Sequence, residues 1–484
     1  MIKAAATRPA KRMAAKPSTR KGPPQKLNYS AGEPGSARRK SALIRKGMED
    51  SILTANKRDQ LLANARDLDR NFEIVGWMLR RHQDYVCDFE FAGRHPDKGF
   101  QRDLEAFIEL WSLEENFEAS GRFSREVFVR LIEARSILDG DIGIMRVADS
   151  TIQAVEGDRI RNDGADVITE TNGVKYWQGV KVNKASKPLA YKVWRRTDSG
   201  GLEFEREVSA DNMRLYSNWP RFDSMRGVSP LAAAINRFRD IYDNADLALA
   251  KAKISQLVGL KLTRDGDVPV VPTTAEDDGT YKVDFSGPFM LDMKQGDDAE
   301  FIVPATPASE FQAFMVQMLQ LGLKALDIPF SFYNESFTNF FGSRAAWHHY
   351  ERSCTPKRNK VKSLLNWLTL WRIGLAVDDG EFFLPSGMDM EELRRALQWQ
   401  ARGMPWWKPS EEINGDLAAI AGGLTSAQRV TKSRGQGDAF DLIDERAELE
   451  DYARSKGVAL NYAGFPVVPI VDPAADQTPV PNGA

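Results

Sequence analysis

The sequence predicts an α+β protein with several domains and a large share of helix. The chain has 484 residues, more than one hydrophobic core usually holds, which indicates two to four domains. Apolar residues recur at helical spacing before residue 140 and again after residue 307. Between about 140 and 215 they form short alternating runs separated by turn residues, a pattern typical of strands.

The first 47 residues are predicted to form a disordered basic arm. Their cations, with no acidic residue before Glu33, are Lys3, Arg8, Lys11, Arg12, Lys16, Arg20, Lys21 and Lys26. A stretch of this composition cannot bury enough apolar surface to fold by itself. It is either a solvated tail or an arm that contacts nucleic acid or a partner protein.

Residues 48–228 are predicted to form an α+β domain. Helical spacing covers about 50–90, 100–118 and 123–138, and Gly140 ends the last of these helices. A strand is predicted over 176–182, and a turn at 183–188 leads into a returning strand.

A long helical rod is predicted over 229–258. Ser229 is a suitable N-cap and Pro230 suits the first helical position. No Pro or Gly follows before Gly259, so at ~1.5 Å per residue the rod is roughly 40–45 Å long. Short strands and turns are expected over 260–305, and a second helix then runs until Pro329 stops it.

The rest of the chain is predicted to be mainly helical. A loop at about 331–343 precedes a helix over 343–375, which Pro356 should kink or break. A Trp-rich linker follows, with Trp399, Trp406 and Trp407, and we expect it to be a packed hinge. Helices at 411–422 and 425–457 precede a Pro-rich tail over 461–484 that we expect to be flexible.

Several kinds of chemistry find no support in the sequence. There is no phosphate-binding GxxxxGK[ST] loop, GxGxxG, GxSxG or HExxH motif, so no cofactor or metal site is predicted. The two cysteines form no CxxC pair, and adjacent His348 and His349 point in different directions on a helix. No apolar run is long enough to cross a membrane. A net charge of -2 limits any DNA contact to local or transient ones.

A series of short motifs resembles the portal proteins of lambda-like tailed phages over about residues 55–457. These motifs are Arg66-Asp67-Leu68-Asp69-Arg70-Asn71, Gly140-Asp141 with Gln153 to Ile160, Pro188 to Tyr191, Arg226-Gly227-Val228-Ser229-Pro230-Leu231, Pro304 to Phe314, Asp327-Ile328-Pro329 with Ser343-Arg344-Ala345-Ala346, and Gly423 to Ser426. The Arg226 and Ser343 motifs are fairly specific when they occur together at this spacing. Asp327 stands where the family usually has glycine.

The resemblance implies a portal fold of wing, stem, clip and crown that assembles into a ring of about 12 subunits. Mapped onto this chain, it places the wing at 48–228, the stem helices at 229–258 and 307–330, the clip at 259–306, the tunnel loop at 331–343, the wing helix and linker at 344–400 and the crown at 401–460. The implied function is a channel at one capsid vertex through which double-stranded DNA is packaged and ejected.

The implied partners are the terminase large subunit, head-completion or adaptor proteins, and the major capsid and scaffolding proteins. The implied location is the virion, with the host cytoplasm during assembly. The resemblance also implies that DNA passes close to the tunnel loop, at Asn334, Glu335, Thr338, Asn339, Ser343 and Arg344. Arg344 would either contact phosphate there or pair with an acidic residue and fix the base of the loop, and we favour the structural role. On the stem, the candidate channel-facing cations are Arg237, Arg239, Lys251 and Lys253. The same rod carries Asp240, Asp243 and Asp246, and mixed charge suits DNA that must slide without sticking.

Two other interpretations remain open. One is a metal-dependent nucleic-acid-processing enzyme of α+β class, with an acid cluster near Asp139 and Asp141. The other is a different virion ring, such as a head-completion protein, although such chains are usually shorter. Without the resemblance, the two rods would simply be an ordinary antiparallel helix pair.

Overall fold

The computed structural model describes residues 47–170, 173–255, 259–263, 298–302, 309–334, 340–403 and 408–458. Several predictions therefore lie outside the described residues. They concern the basic arm up to residue 46, most of the predicted clip, Glu335, Thr338 and Asn339 of the predicted tunnel loop, Trp406 and Trp407, and the C-terminal tail.

The chain divides into two compact units, which are described separately. The first unit comprises the described part of Met1–Ala63 with Arg135–Val147 and Ile152–Ala232, and the second comprises Asn64–Ala134, Ala148–Thr151 and the chain from Ala233 onwards. The division into wing, stem, clip and crown stays a prediction.

In chain order, the elements before the sheets of the first unit are mainly helices, as the periodicity predicts. They are α1 (Glu49–Ile52), α2 (Ala55–Asn71), α3 (Glu73–Val86), β1 (Phe89–Gly93), α4 (Lys98–Trp111), α5 (Glu114–Phe117) and α6 (Arg125–Asp139). The single helical stretch expected over 50–90 is thus divided into three helices and the start of a strand.

The first unit contains two antiparallel sheets. Their strands are β2 (Asp141–Arg146), β3 (Ile152–Glu156), β4 (Val167–Thr169), β5 (Lys175–Trp177), β6 (Val180–Val182), β7 (Pro188–Arg196), β8 (Leu202–Ser209) and β9 (Met213–Ser217). One sheet has the order β3-β2-β9 and the other runs β4 to β8 in sequence. Their apolar side chains share a core that includes Met145, Val155, Val193 and Met213. The predicted β-rich character of 140–215 is confirmed.

The prediction of one continuous strand over 176–182 is wrong, because a tight turn divides this segment into β5 and β6. Gln178 and Gly179 both have positive φ, at 45° and 89°, which matches the two-residue hairpin turns that fit the twist of antiparallel strands. A glutamine rarely adopts this conformation. Here its buried side-chain amide donates to the carbonyl of Leu53 at 2.6 Å, and this contact stabilises the turn.

In the second unit, long helices alternate with two short strand pairs. Beyond α3 to α5 and β1, its elements are α7 (Ile235–Ser255), β10 (Gly259–Thr263), β11 (Asp298–Ile302), α8 (Ser309–Leu323), α9 (Phe330–Tyr333), α10 (Phe340–Asp378), α11 (Met390–Ala396), β12 (Leu397–Ala401), α12 (Pro409–Ala421), α13 (Ala427–Arg434) and α14 (Ala439–Ser455). Strand β1 pairs with β12 and β10 pairs with β11, both antiparallel.

Trp399 corrects the prediction of a linker, because it lies in strand β12 opposite Phe91. Its indole is buried, packs edge-on against Phe91 with ring centroids 5.0 Å apart, and lies under the guanidinium of Arg125 at 4.8 Å. Its Nε1–H donates to the Thr369 hydroxyl at 3.3 Å. The predicted packed role of Trp399 therefore fits the structure, but within a sheet.

Two helix boundaries also differ from the predictions. Helix α10 runs without a break through Pro356 for 39 residues. The buried side chains of Tyr350, Cys354 and Val361 on either side explain why, because their packing outweighs the ~3 kcal/mol penalty of an internal proline. The helix expected over 425–457 is two helices, because Gly435 and Gly437, with φ of 70° and 82°, end α13 and separate it from α14.

Within the described residues, no helix combines the length and the apolar character needed to cross a membrane. Cys87 and Cys354 are both buried free thiols. Burial raises the pKa of each thiol above its ordinary value, so neither is an activated nucleophile.

Candidate functional site

The candidate site is built around the long rod, whose beginning is fixed by Ser229. The Ser229 hydroxyl donates to the carbonyl of Ile137 at 2.6 Å and accepts from the backbone N–H of Leu231 at 3.2 Å. The predicted cap is therefore in place. The turn after it, Pro230–Ala233, is a tighter 3-10 turn, and the α-helix itself begins at Ile235.

The residues just before Ser229 rest on a buried ion pair in the first unit. Both side chains of the Arg226–Asp141 pair are almost completely buried, and two N–H groups of the guanidinium donate to the two carboxylate oxygens at 2.7 Å each. Arg226 also donates to the carbonyls of Gly157 at 2.8 Å and Gln178 at 2.9 Å. The backbone N–H of Gly227 donates to Asp141 at 2.7 Å. The pair therefore links β2 to the segment that leads into the rod.

Burial and ion pairing act in opposite directions on the Asp141 carboxylate. Burial by itself raises the pKa of Asp141, but the charge and hydrogen bonds of Arg226 outweigh it and leave that pKa below its ordinary value. Asp50 lies in the same network, accepts from the N–H of Met225 at 2.6 Å and sits 3.6 Å from Arg58. For Asp50 burial dominates, and its pKa is raised.

Two glycines make this network possible. Gly140 has φ of 94°, and a Cβ atom there would lie 2.8 Å from the carbonyl oxygen of Gly227. A Cβ on Gly227 would lie 2.1 Å from the carbonyl oxygen of Gly140. Only glycine at both positions allows the two backbones to approach this closely. This close approach explains why the Gly140-Asp141 and Arg226-Gly227 motifs occur together.

The same geometry removes the main support for the enzyme interpretation. Both oxygens of Asp141 are bound to Arg226, so the carboxylate is not available as a metal ligand or a general base. Asp139 is also buried. Across the described parts of the chain, no three His, Cys, Asp or Glu residues are grouped closely enough to hold a metal ion.

Helices α7 and α8 pack against each other in the second unit. The ring of Phe238 is completely buried, and a Cβ atom on Gly322 of α8 would lie only 2.6 Å from it. Phe72 packs edge-on against Phe238 and Tyr242, with centroids 6.1 and 5.7 Å apart. The first half of α7 is therefore buried by packing against aromatic side chains of this unit.

The second half of α7 differs sharply from the first. Beyond Ile241, all the described side chains are exposed or half-buried. Leu247 and Leu249 are 66% and 54% exposed, and Phe314 on α8 is 49% exposed. The second half of the rod thus exposes apolar side chains on two sides, because Leu247 and Leu249 are roughly 160° apart around the helix.

The four candidate cations of the rod do not share one face. At 3.6 residues per turn, Arg237 and Lys251 lie within roughly 40° of each other, as do Arg239 and Lys253, whereas Arg237 and Arg239 are roughly 160° apart. Arg237, Lys251 and Lys253 are exposed. Arg239 is half-buried and donates to the side-chain oxygen of Asn64 at 2.6 Å. The four cations are thus divided between two sides of the helix.

The predicted tunnel loop is shorter than expected at both ends. Residues 331–333 lie in α9 and residues 340–343 lie in α10, so Ser343 and Arg344 are helical. Asn334 caps α9, with its backbone N–H donating to the carbonyl of Phe330. Arg344 lies 3.3 Å from Glu412 of α12, which favours the structural role for this arginine over a contact with phosphate.

Aromatic side chains that the sequence did not single out hold the entry to the loop. Phe332 stacks on Tyr85 at 5.7 Å and packs edge-on against Tyr350 at 5.4 Å. Just before them, Asp327 adopts φ of 63°, a left-handed conformation that explains the glycine expected at this position. Lys357 lies 3.1 Å from the Asp327 carboxylate.

The sequence also provided no indication that Asp50, Arg58 and Gln178 belong to the network around Arg226, because no local pattern connects these three residues.

A family model described as "Phage portal protein, lambda family" matches residues 37–358, about two thirds of the chain. The chain belongs to this family. The resemblance inferred from the motifs is confirmed.

A relative described as "Probable portal protein" of Halomonas phage phiHAP-1 is 26% identical over 189 residues, which are 36% of this chain and 34% of the relative. The match thus spans about a third of that relative's length.

Three solved structures of gene transfer agent particles contain similar chains, each 13% identical to this one. For the virion of the native particle the TM-score is 0.45, covering 65% of this chain and 81% of the other. For the neck of the empty particle, computed with C6 symmetry, it is 0.44, with 64% and 82% covered. For the neck of the native particle, computed with C12 symmetry, it is 0.41, with 68% and 92% covered.

Proposed function

We propose that copies of this chain form a closed ring of about 12 subunits at one capsid vertex, and that double-stranded DNA passes through it during packaging and ejection. The role is structural and not catalytic. Membership of the portal family supports the proposal. The observation that carries it is the exposed second half of α7, where Leu247 and Leu249, on opposite sides of the helix, would each contact a neighbouring copy.

The energetics favour such an assembly. Full burial of a leucine side chain stabilises by roughly 1.5–3 kcal/mol. Leu247 and Leu249 are more than half exposed, so much of this stabilisation is still available to an interface. In a ring the same gain recurs at every subunit contact, and α7 and α8 of adjacent copies together form the channel wall.

The charges of α7 suit a channel through which DNA slides. We propose that the side of α7 carrying Arg237 and Lys251 faces the DNA, because Arg239, on the other side, is engaged with Asn64. Asp240, Asp243 and Asp246 dilute the positive charge along the rod. Since each tight phosphate contact adds salt-dependent affinity, a sparse set of cations would guide the duplex without holding it.

This assignment can be tested on assembled rings through the salt dependence of their DNA binding. We expect Arg237→Ala and Lys251→Ala each to reduce the slope of log affinity against log salt by about 1 for every phosphate contact that is lost around the ring. Lys253→Ala, an exposed cation on the other side of the same helix, is the matched control and should leave the slope unchanged. Equal effects at Lys251 and Lys253 would contradict the assignment.

The tunnel loop and the remaining partners complete the proposal. We propose that the loop beginning at Asn334 approaches the DNA, while Phe332 and Arg344 hold its two ends in place. The ring would assemble in the host cytoplasm, help nucleate the shell of major capsid and scaffolding proteins, and remain in the virion. The clip would receive the terminase large subunit and later the head-completion or adaptor proteins.

Mass measurement of the purified protein tests the ring directly. Light scattering and mass photometry should give a discrete assembly at about 12 times the 54.3 kDa of one chain. A species that stays at the mass of one chain at every concentration and salt concentration would overturn the proposal.

A further inference from the structure

An unusual loop lies in the first unit between β9 and Arg226. We call residues 218–225 the aromatic loop. Phe222 is fully exposed and Trp219 is 52% exposed. Both stand in the short segment Trp219-Pro220-Arg221-Phe222. Large aromatic side chains on a protein surface are enriched where another protein binds.

The aromatic loop is held in place at both ends. At its start, the backbone N–H of Asn218 donates to the carbonyl of Gly140 at 3.0 Å, and the Asn218 side chain donates to the carbonyl of Ser136 at 2.8 Å. At its end, Met225 donates from its N–H to buried Asp50 at 2.6 Å. The two aromatic rings are therefore presented on a fixed support, and little conformational entropy would be lost on binding.

Arg221 stabilises the tip of the loop from within. Its guanidinium donates to the carbonyl of Gly47 at 3.1 Å and lies 3.6 Å from Glu49 and 3.3 Å from Asp223. Its own carbonyl accepts from the N–H of Ser224 at 3.3 Å. The exposed aromatic side chains of the loop therefore lie beside charged side chains that are already paired. This arrangement matches the apolar centre and polar rim of a protein–protein interface.

The size of the exposed surface fits one part of a larger interface. Trp219 and Phe222 together would remove roughly 300 Å² from water, since an aromatic side chain buries about 150–250 Å². A standard interface buries about 800 Å² on each partner. The aromatic loop would therefore supply more than a third of such an interface, which is the share expected of its central contacts.

We propose that the aromatic loop of one copy docks onto an aliphatic surface of a second copy of this chain. That surface, which we call the aliphatic patch, consists of Leu110, Leu113, Val127 and Leu131, each between 37% and 60% exposed. It belongs to the second unit and comprises the end of α4, the residue before α5 and the start of α6. The backbone N–H of Arg125 donates to the carbonyl of Ser112 at 3.0 Å, which keeps these two helix ends together.

The pairing rests on the proposed ring. In a closed ring each copy meets its two neighbours through two different surfaces, because the interface is head-to-tail. One chain must therefore carry both halves of the contact. The aromatic loop in the first unit and the aliphatic patch in the second unit are chemically complementary and structurally distinct, as such an interface requires.

Two variants, each lacking one half, test the pairing. The first is Trp219→Ala/Phe222→Ala and the second is Leu113→Asp/Val127→Asp. Each change removes central contacts of the interface, so each should weaken a subunit contact at least about 30-fold and leave the protein monomeric. Phe383→Ala, which removes another exposed Phe of the second unit, should assemble like the wild type. Circular dichroism of each variant confirms that it is folded.

Mixing the two defective variants gives the decisive measurement. One intact contact remains possible, between the loop of the patch variant and the patch of the loop variant. The mixture should therefore form heterodimers of twice the 54.3 kDa chain mass and nothing larger. A mixture that stays monomeric, or a loop variant that forms normal rings, overturns the pairing but leaves the ring proposal intact. A monomeric wild type overturns both.

Discussion

The Arg226–Asp141 network of the first unit and the second half of α7 in the second unit differ in how far their own chain completes them. Around Arg226, a buried charge has its hydrogen bonds supplied by Asp141 and nearby carbonyls. Along α7, apolar side chains such as Leu247 and Leu249 are exposed. The first region is completed within its own chain and supports the fold. The second exposes apolar side chains that neighbouring copies would cover in the proposed ring.

The contrast also shows where mutations should act. A change in the Arg226 network should impair folding of a single chain, because its contacts lie within one unit. A change on the exposed part of α7 should leave folding unaffected and impair the ring.

Removing Arg226 should have the largest effect. Arg226→Ala leaves Asp141 buried without a counter-charge, and such a loss typically destabilises by about 3–5 kcal/mol. Urea unfolding followed by circular dichroism measures the change. Arg195→Ala, at an exposed pair with Glu203 in the same unit, is the control and should change the free energy of unfolding by less than about 1 kcal/mol. Equal losses for the two variants would show that the network is not a structural support.

Filling the contact between α7 and α8 should have the next largest effect. Gly322→Ala places a methyl group 2.6 Å from the buried ring of Phe238, and overpacking of this kind usually destabilises by about 1–3 kcal/mol. Gly374→Ala in α10 is the matched control. No neighbouring atom lies within 4 Å of its added methyl group, so it should stabilise by about 0.5–1 kcal/mol. Thermal unfolding that gives both variants the same sign would contradict the described packing.

A moderate pH dependence should come from His82 in the second unit. Its ring nitrogen lies 2.9 Å from Glu133, and both side chains are buried. Burial lowers the pKa of His82 below its ordinary value of 6.5, although Glu133 opposes this. The unfolded chain therefore binds the proton more readily, so stability is complete above about pH 6.5 and falls as the pH drops below it.

The slope of this pH dependence can be measured by chemical unfolding between pH 7.5 and pH 5. One proton changes the free energy of unfolding by at most about 1.4 kcal/mol per pH unit. His82→Gln should flatten the slope, whereas His349→Gln, at an exposed position, should not. Identical slopes for the wild type and His82→Gln would contradict the assignment.

Arg344 should have the smallest effect. Its guanidinium is about a third exposed and lies 3.3 Å from Glu412, which is also 3.0 Å from Arg434. Arg344→Ala should therefore destabilise by less than about 1 kcal/mol, and the difference should shrink in high salt. A larger loss that salt does not change would mean that packing, and not charge, holds the base of the loop.

Local patterns predicted the parts of the fold that depend on neighbours in sequence. Alternating apolar residues indicated the strand-rich region, Ser229 and Pro230 indicated the start of the rod, and Pro329 marked the end of the next helix. Each of these features depends on residues within a few positions, which is what periodicity and capping rules describe.

Features that depend on distant partners escaped prediction. Arg226 and Asp141 are 85 positions apart, and although both lie in motifs of the family resemblance, no local pattern indicates that they form an ion pair. Trp399 lies in a strand because β1, more than 300 positions earlier, provides its partner. Gln178 turns the chain because its side chain reaches Leu53, 125 positions away.

The central claim is that this chain forms a ring through which DNA passes, and end-on electron microscopy of the purified protein with short linear duplex DNA tests it most directly. We predict closed rings of about 12 subunits, a central opening lined by α7, and density along the axis when DNA is added. Single chains, open filaments or rings whose DNA density lies only on the outer surface would contradict it.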